Sequence, residues 1–143
     1  MYRKDRVALY CRISKTGDEG KTALEAREKK FMEIIKENSD IMEFAGIYTD
    51  FGSANNKHRP KLERLIADCE AGKIDLIITK NMAQLYRSTA KILDLIQKLR
   101  KFKPSIRVHF EDSGFDSGHV DFFEIMESMV ESEKIAVKDY ILT

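Results

Sequence analysis

The 143-residue sequence predicts an α/β fold, in which helices cover both faces of a mainly parallel sheet. Two observations support this. Short apolar segments typical of strands lie at 7–11, 44–49, 75–79 and 106–110, and amphipathic segments with helical periodicity separate them. Strands that alternate with helices imply right-handed crossovers between parallel neighbours. The length fits one domain, 1–143, with an α/β core over roughly 6–118 and a long helix over 119–143.

The first predicted strand lies within Arg6 to Ser14 and ends in a polar pair. The nearly unbroken apolar run Val7 to Cys11 suits a strand that is buried on both faces. Arg12 and Ser14 lie two residues apart, so in an extended backbone their side chains lie on the same side. Open α/β sheets usually bind ligands at this carboxyl end. A strand that simply ends in polar residues is the alternative interpretation of this stretch alone.

A loop and the first helix follow. Lys15 to Lys21 is polar and contains two glycines, which predicts a mobile loop. Thr22 with Glu25 forms a capping-box pattern, so we expect the helix to begin there and to end near Asn38.

The second strand and second helix are separated by a polar loop. The strand is predicted at Phe44 to Thr49, and the loop at Asp50 to His58. Arg59 and Pro60 open the next helix, since proline is favoured in a first helical turn. Gly72 is well placed to end it. The loop includes Gly52, Ser53, Asn55 and Asn56.

The third and fourth strands flank another helix. A third buried strand is predicted at Asp75 to Thr79, and a connecting segment at Lys80 to Ser88. Ser88 or Thr89 is the expected N-cap of the third helix, and Pro104 follows its end. The fourth strand is predicted at Ile106 to Phe110, and Glu111 to Gly118 as a loop.

The last predicted helix, Val120 to Ile141, is long for a small domain. Its apolar residues recur close to the helical period over about six turns. We expect its far half to project beyond the core and to offer apolar side chains to another chain. A helix that lies wholly on its own sheet is the alternative. The sequence ends at Thr143 without a helix terminator, which suggests a longer protein.

Composition bounds the class of protein. With 34% charged and 43% hydrophobic residues, no apolar run of membrane-spanning length and no secretory leader at residues 1–5, the expectation is a cytoplasmic protein without a membrane partner. Cys11 and Cys69 fit reduced core thiols. The three histidines, His58, His109 and His119, are scattered singly, so we predict no metal site. A net charge of +1 gives little evidence about nucleic acid.

Candidate catalytic residues collect at the carboxyl edge of the predicted sheet and in the loops that follow it: Arg12, Ser14, Asp50, Arg59 and Arg87. Several arginines around one serine suit attack on a phosphodiester, because guanidinium groups neutralise the charge that develops at phosphorus. Nearby positive charge also favours deprotonation of the hydroxyl. Neither a Gly-x-Ser-x-Gly elbow nor a glycine-rich phosphate loop is present, so no cofactor is predicted.

A series of motifs resembles the catalytic domain of the serine site-specific recombinases, the resolvase and invertase family. The series covers nearly the whole chain in order. It consists of Tyr10-Cys11-Arg12-Ile13-Ser14, Tyr48-Thr49-Asp50 with a Gly-Ser loop before Arg59, and Leu76 to Lys80 running into Leu85-Tyr86-Arg87-Ser88.

The resemblance implies a flavodoxin-like three-layer αβα domain that acts on DNA. Ser14 would attack a phosphodiester and form a phosphoserine link to the 5′ end, so that strands can be exchanged and resealed without ATP or metal. Arg12, Arg59 and Arg87 would be active-site arginines, and Asp50 an acidic residue that organises them. The helix around Phe122 to Ile141 would form homodimer or homotetramer contacts and lead to a separate DNA-binding region.

Three positions depart from the family pattern. Gln84 stands where the family normally has a further arginine, and a neutral amide makes a weaker contact with a developing phosphorane than a charged group. Arg27 replaces a usual glutamine, and its charge could take the place of the missing one; a solvated arginine on the helix face is the alternative. Ile135 stands where a basic residue is common.

Two rival functions stay open. The first is a catalytically impaired recombinase-fold subunit that acts through DNA-associated assembly, because of Gln84. The second is a flavodoxin-like regulatory or nucleotide-binding module, although Asp50 lacks the acidic partners that a phosphoacceptor site needs. A flavin-bound protein would be yellow on purification.

Overall fold

The computed structural model describes residues 3–14, 16–52 and 58–142, with the backbone alone for 136–142. The strands are β1 Asp5–Ile13, β2 Met42–Phe51, β3 Leu76–Thr79, β4 Arg107–Phe110 and β5 Phe115–Asp116. The helices are α1 Gly17–Glu37, α2 Pro60–Glu70, α3 Thr89–Lys101 and α4 Phe122–Leu142, and a single 3-10 turn, Met82–Gln84, precedes α3. The predicted α/β fold with a long last helix is confirmed.

The strands form one sheet in the order β2-β1-β3-β4-β5. This is the flavodoxin-like order, and the first four strands are parallel. The fifth pairs antiparallel with β4. Because β1 lies between β2 and β3, Arg12 is beside Asp50 of β2, and Tyr10 is between Tyr48 and Thr79.

Alternation along β1 divides the core into two layers. Val7, Leu9 and Cys11 face α1, where Phe31 and Ile35 cover them. The other face, which includes Ala8 and Tyr10, packs against α2, α3 and α4. All five residues from 7 to 11 are at most 2% exposed, so the prediction of a strand buried on both faces is confirmed.

The predicted start of α1 is wrong. The helix begins at Gly17, so the Thr22 and Glu25 pair lies inside the helix and most of the expected loop is helical. Asp18 and Glu19 occupy the first turn, where carboxylates interact favourably with the helix dipole. Gly20 is buried in the same turn.

Strand β2 extends beyond its predicted end. It continues through Phe51, so Asp50 is a buried strand residue, 4% exposed, rather than the first residue of a loop. The predicted loop residues Ser53, Asn55 and Asn56 lie outside the described part of the chain.

Both predicted ends of α2 are confirmed. Pro60 is its first residue. At the other end Gly72 has φ +78°, and the N–H groups of Gly72 and Lys73 donate to the carbonyls of Cys69 and Asp68, which is a Schellman motif. Cys69 is a free buried thiol, and burial raises its pKa to about 12.

The α3 start is also confirmed, whereas the following loop prediction is wrong in part. Ser88 Oγ accepts the N–H of Lys91 and caps α3. Within the predicted loop 111–118, Phe115 and Asp116 form the antiparallel strand β5. Strand β5 is the last strand of the sheet, next to β4.

Helix α4 packs against α3 over its described side chains. Phe122 and Met126 are fully buried in the core, and the Arg100 guanidinium lies 4.7 Å from the centre of the Phe123 ring. Thr89 Oγ1 donates to Glu133, so the two helices run antiparallel as far as that turn. The far half was predicted to project, and its side chains from 136 onward are not described. Val120, just before the helix, and Ile125, Met129 and Ile135 within it are exposed apolar residues.

Asp75 connects the amino ends of the strands and gives a pH prediction. Its carboxylate is 7% exposed and accepts from Arg6 N, Arg6 Nε and Arg3 Nη2 at 2.8–2.9 Å. Burial opposes its ionisation, but the bonds from Arg6 more than offset that effect and hold the pKa of Asp75 below its usual range.

Asp75→Asn should therefore destabilise the fold at neutral pH and much less in acid. A lowered folded-state pKa means that the carboxylate's contribution is complete above the unfolded-state pKa of about 3.9 and is lost as pH falls through the folded-state value. Urea unfolding across this pH range should show the free-energy difference between variant and native protein shrinking. The exposed Asp94→Asn is the control, and a pH-independent difference would contradict the assignment.

Candidate active site

A cleft of about 470 Å³ opens at the carboxyl edge of the sheet. Ser14 directly follows β1 and is exposed on its wall. The cleft is lined by residues of β1, α1 and the loops after β3 and β4, namely Cys11, Arg12, Ile13, Ser14, Ala23, Ala26, Arg27, Lys30, Lys80, Gln84 and Asp112. A hydroxyl and four cationic side chains therefore share one cavity with a single carboxylate.

Arg12 is held by backbone carbonyls on two sides of the edge. Its Nη1 donates to Gly52 O at 2.9 Å, and its Nη2 donates to Ala83 O at 3.2 Å. Its Nε is buried and has no acceptor among the described residues. An unpaired buried donor of this kind is uncommon in folded proteins.

Asp50, Tyr10 and Arg59 form a buried network next to the cleft. Tyr10 Oη donates to Asp50 Oδ2 at 2.9 Å and accepts from Arg59 Nη2 at 2.9 Å. Arg59 is 6% exposed, and its guanidinium lies 5.4 Å and 5.3 Å from the ring centres of Tyr10 and Tyr86. The Tyr10 hydroxyl thus bridges the Asp50 carboxylate and the Arg59 guanidinium. The guanidinium also makes cation–π contacts with the rings of Tyr10 and Tyr86.

The same carboxylate caps α2. Asp50 Oδ1 accepts from Lys61 N at 2.9 Å and Oδ2 accepts from Leu62 N at 3.0 Å. Arg59, at the N-cap position, makes no side-chain cap of its own. A strand residue therefore satisfies two of the free N–H groups at the start of α2, directly after Arg59.

Burial and charge shift two protonation equilibria here. Burial raises the pKa of the Tyr10 phenol far above its usual value, even with Arg59 beside it, so the phenol stays protonated and can donate to Asp50. Burial and then the charge of Arg59 lower the pKa of Arg12. Arginine keeps its proton nonetheless, since its ordinary pKa exceeds 12.

Gln84 is an integral part of the cleft. Its side-chain oxygen accepts from Arg12 N at 2.8 Å, and its backbone oxygen accepts from Arg59 Nη2. Gln84 thus connects the 3-10 turn to both Arg12 and Arg59 by accepting hydrogen bonds from them, and it brings no charge to the cleft.

The structure brings together most of the predicted site. Ser14, Arg12 and Gln84 line one cleft, and Asp50 and Arg59 lie buried next to it. Arg87 is exposed just before α3 and is not among the residues that line this cleft.

Sequence reasoning gave too little importance to two residues of the site. Tyr10 links Asp50 to Arg59. The available signal was a tyrosine in a buried strand, two residues before Arg12, because a buried phenol needs a hydrogen-bond partner. Arg27 enters the cleft from α1 and donates to Glu111 Oε1 at 2.5 Å.

In the described chain no three His, Cys, Asp or Glu side chains are grouped to hold a metal ion. None of the described helices is long and apolar enough to cross a bilayer.

Fold and site together define a flavodoxin-like α/β domain that presents a serine among arginines at the carboxyl edge of its sheet. The family model for the resolvase N-terminal domain matches residues 7–140, and the chain belongs to this family. That membership supports site-specific recombination as the class of function. No curated protein matches the sequence.

Solved structures agree on the fold. A resolvase family site-specific recombinase from Streptococcus pneumoniae is 20% identical, with a TM-score of 0.78 over 97% of this chain and 94% of that one. The N-terminal catalytic domain of TP901-1 integrase is 25% identical, with a TM-score of 0.68 over 92% and 98% of the two chains. A serine recombinase from Sulfolobus solfataricus is 19% identical, with a TM-score of 0.54 over 90% and 98%.

Proposed function

We propose that the chain is the catalytic domain of a serine recombinase and that Ser14 is its nucleophile. The observation that carries the proposal is the position of an exposed serine in a cleft with four cationic side chains, in a member of the resolvase family. The substrate is DNA, whose phosphodiester supplies the anion that such a cleft attracts.

In the proposed reaction, Ser14 Oγ attacks the phosphorus of one DNA linkage. A bond forms between Oγ and the 5′ phosphate, the bond to the 3′ oxygen breaks, and the proton lost by the serine is balanced by the one gained by the 3′ hydroxyl. Attack by the 3′ hydroxyl of an exchanged strand reverses these changes. Because an ester is kept at every stage, resealing needs no ATP.

Each arginine has a separate part in this proposal. Arg12 lines the cleft with one N–H unpaired and would neutralise charge on the attacked phosphate. Arg59 is held by Tyr10 and the Gln84 carbonyl, and its main effect is on the shape and potential of the edge. Arg87 would contact DNA from the exposed segment before α3. The apolar residues left exposed on α4, such as Ile125 and Met129, would meet a second copy of the chain.

A second candidate function is supported by Gln84. Its amide accepts the Arg12 N–H where a charged donor would serve a phosphorane better, which favours a recombinase-fold subunit that assembles on DNA but cleaves poorly.

The decisive experiment is a search for a covalent protein-DNA adduct. The protein is incubated with a library of genomic fragments from its source organism, the reaction is stopped by denaturation, and proteolysed adducts are analysed by mass spectrometry. We expect a nucleotide phosphate on the peptide that contains Ser14, with a blocked 5′ DNA end and a free 3′ hydroxyl.

An adduct on any other residue would overturn the nucleophile assignment. No adduct with the native protein, but a clear one with Gln84→Arg, would favour the second candidate.

A further inference from the structure

Arg12, two residues before Ser14, and Arg59, in the buried network beside the cleft, both give some of their donors to neighbouring protein groups. Arg12 gives both Nη groups to backbone carbonyls, and Arg59 gives Nε and Nη2 to Tyr10 and to Gln84 O. Both side chains therefore hold the sheet edge together. A further guanidinium on the wall of the cleft would add positive charge and donors for an anion beside Ser14.

Helix α1 supplies one. Arg27 lines the cleft with Ser14, and its side chain is 18% exposed. Its Nη2 donates to Glu111 Oε1 at 2.5 Å, and Lys30 Nζ lies 3.6 Å from Glu111 Oε2. Two cations on one carboxylate leave this wall with an excess of positive charge.

Partial burial makes this charge effective. Surface ion pairs are strongly screened by water and salt, but a charge on a side chain that is about four-fifths buried is screened less. Glu111 is 12% exposed and is fixed at the carboxyl end of β4 by its N–H, which donates to Thr79 O at 3.0 Å. The pair thus holds the Arg27 guanidinium at the wall of the cavity, where its fork geometry suits a phosphate.

We propose that Arg27 is a phosphate-contacting residue of the Ser14 cleft and supplies, from α1, the charge that Gln84 does not supply from the 3-10 turn. Its ligand is a phosphate group with non-bridging oxygens, and in the reaction that ligand is the DNA phosphodiester. The inference rests on the proposed function for its role in cleavage, and on the cleft alone for anion binding.

The competing explanation is an ion pair that only joins α1 to the end of β4. That explanation predicts that Arg27→Gln lowers stability and leaves anion binding unchanged. The proposal predicts a change in anion binding at equal folded fraction, so the two differ in a measurement other than stability.

The first test uses inorganic phosphate and the unaltered protein. In 15N NMR spectra, titration with phosphate should shift the assigned Arg27 Nε–Hε resonance along with the Ser14 amide, and should leave Arg64 Nε–Hε in place. Arg64 is the matched control, since it also sits on a helix in an ion pair, with Asp68, but lies outside the cleft. No shift at Arg27 when the phosphate site is saturated would overturn the proposal.

The second test compares variants. Arg27→Gln should weaken phosphate binding at least about tenfold, the scale of one lost charge-assisted hydrogen bond, and Arg64→Gln should change it less than about twofold. Adduct formation with DNA should fall by at least the same factor in Arg27→Gln and recover in part in Arg27→Gln/Gln84→Arg. Unaltered phosphate affinity in a folded Arg27→Gln would contradict the proposal.

The readouts separate the two proposals. Phosphate binding that depends on Arg27, without any DNA adduct, would remove the proposed function and keep the anion site. A Ser14 adduct that forms equally well in Arg27→Gln, with unchanged phosphate binding, would keep the function and remove this inference.

Discussion

Ser14→Ala is expected to abolish the covalent DNA adduct while the protein folds normally. The substitution removes the only atom that the proposed mechanism bonds to phosphorus, and loss of a nucleophile typically costs at least about a thousandfold in rate. Ser14 is exposed and lies after the end of β1, so the free energy of unfolding should change by less than about 0.5 kcal/mol. Denaturing gels with end-labelled DNA and urea unfolding measure the two effects.

Ser39→Ala is the matched control for this variant. Ser39 is also exposed, and it lies in the turn between α1 and β2, at the amino edge of the sheet. It should form the adduct at the native rate. If Ser14→Ala still formed a serine-linked adduct, the nucleophile would be another serine, and the cleft would be a binding site only.

The sequence-based predictions succeeded where a signal is local. Pro60 and Gly72 bound α2 as expected because a fixed φ and a positive φ are properties of single residues. Ser88 caps α3 for a similar reason, since its side chain reaches an N–H three residues on. The unbroken apolar run of β1 predicted burial on both faces, and α1 on one side with α2, α3 and α4 on the other supplies it.

Predictions failed where a distant contact decides. Glycines at 17 and 20 indicated a loop, but Gly20 is buried in the first turn of α1. Strand β5 has two residues and exists only through pairing with β4, which no local pattern reveals. Asp50 looked like a loop residue because it is charged, yet it is buried where the start of α2 and Tyr10 supply three donors.

The sequence predicted the residues of the candidate site more completely than the hydrogen bonds between them. Strand ends placed Ser14 and Arg12 at one edge, because carboxyl ends of parallel strands meet there. The partners of those side chains depend on three-dimensional packing, so the hydrogen bond from Arg12 N to Gln84 and the phenol between Asp50 and Arg59 could not be read from spacing. Gln84, seen in the sequence only as a missing charge, is in the structure an acceptor on which the edge depends.

Asp50→Ala is expected to lower the free energy of unfolding by about 3 kcal/mol or more. Its carboxylate accepts three hydrogen bonds in a buried setting, and removal leaves the N–H groups of Lys61 and Leu62 and the Tyr10 hydroxyl without that acceptor. Loss of a helix cap alone costs about 1 kcal/mol, and the buried Arg59 loses the carboxylate that shares the Tyr10 hydroxyl with it. Urea unfolding monitored by circular dichroism measures the change.

Two further variants separate the cap from the charge. Asp50→Asn keeps one acceptor oxygen for the α2 N–H groups but removes the negative charge, so it should fall between native protein and Asp50→Ala. Asp94→Ala, an exposed aspartate on α3, should change the free energy of unfolding by less than about 0.5 kcal/mol. If Asp50→Ala were as stable as Asp94→Ala, the network of Asp50, Tyr10 and Arg59 would contribute nothing to the fold. If Asp50→Asn matched Asp50→Ala, the charge rather than the cap would account for the stabilisation, because Arg59 needs an anion more than α2 needs an acceptor.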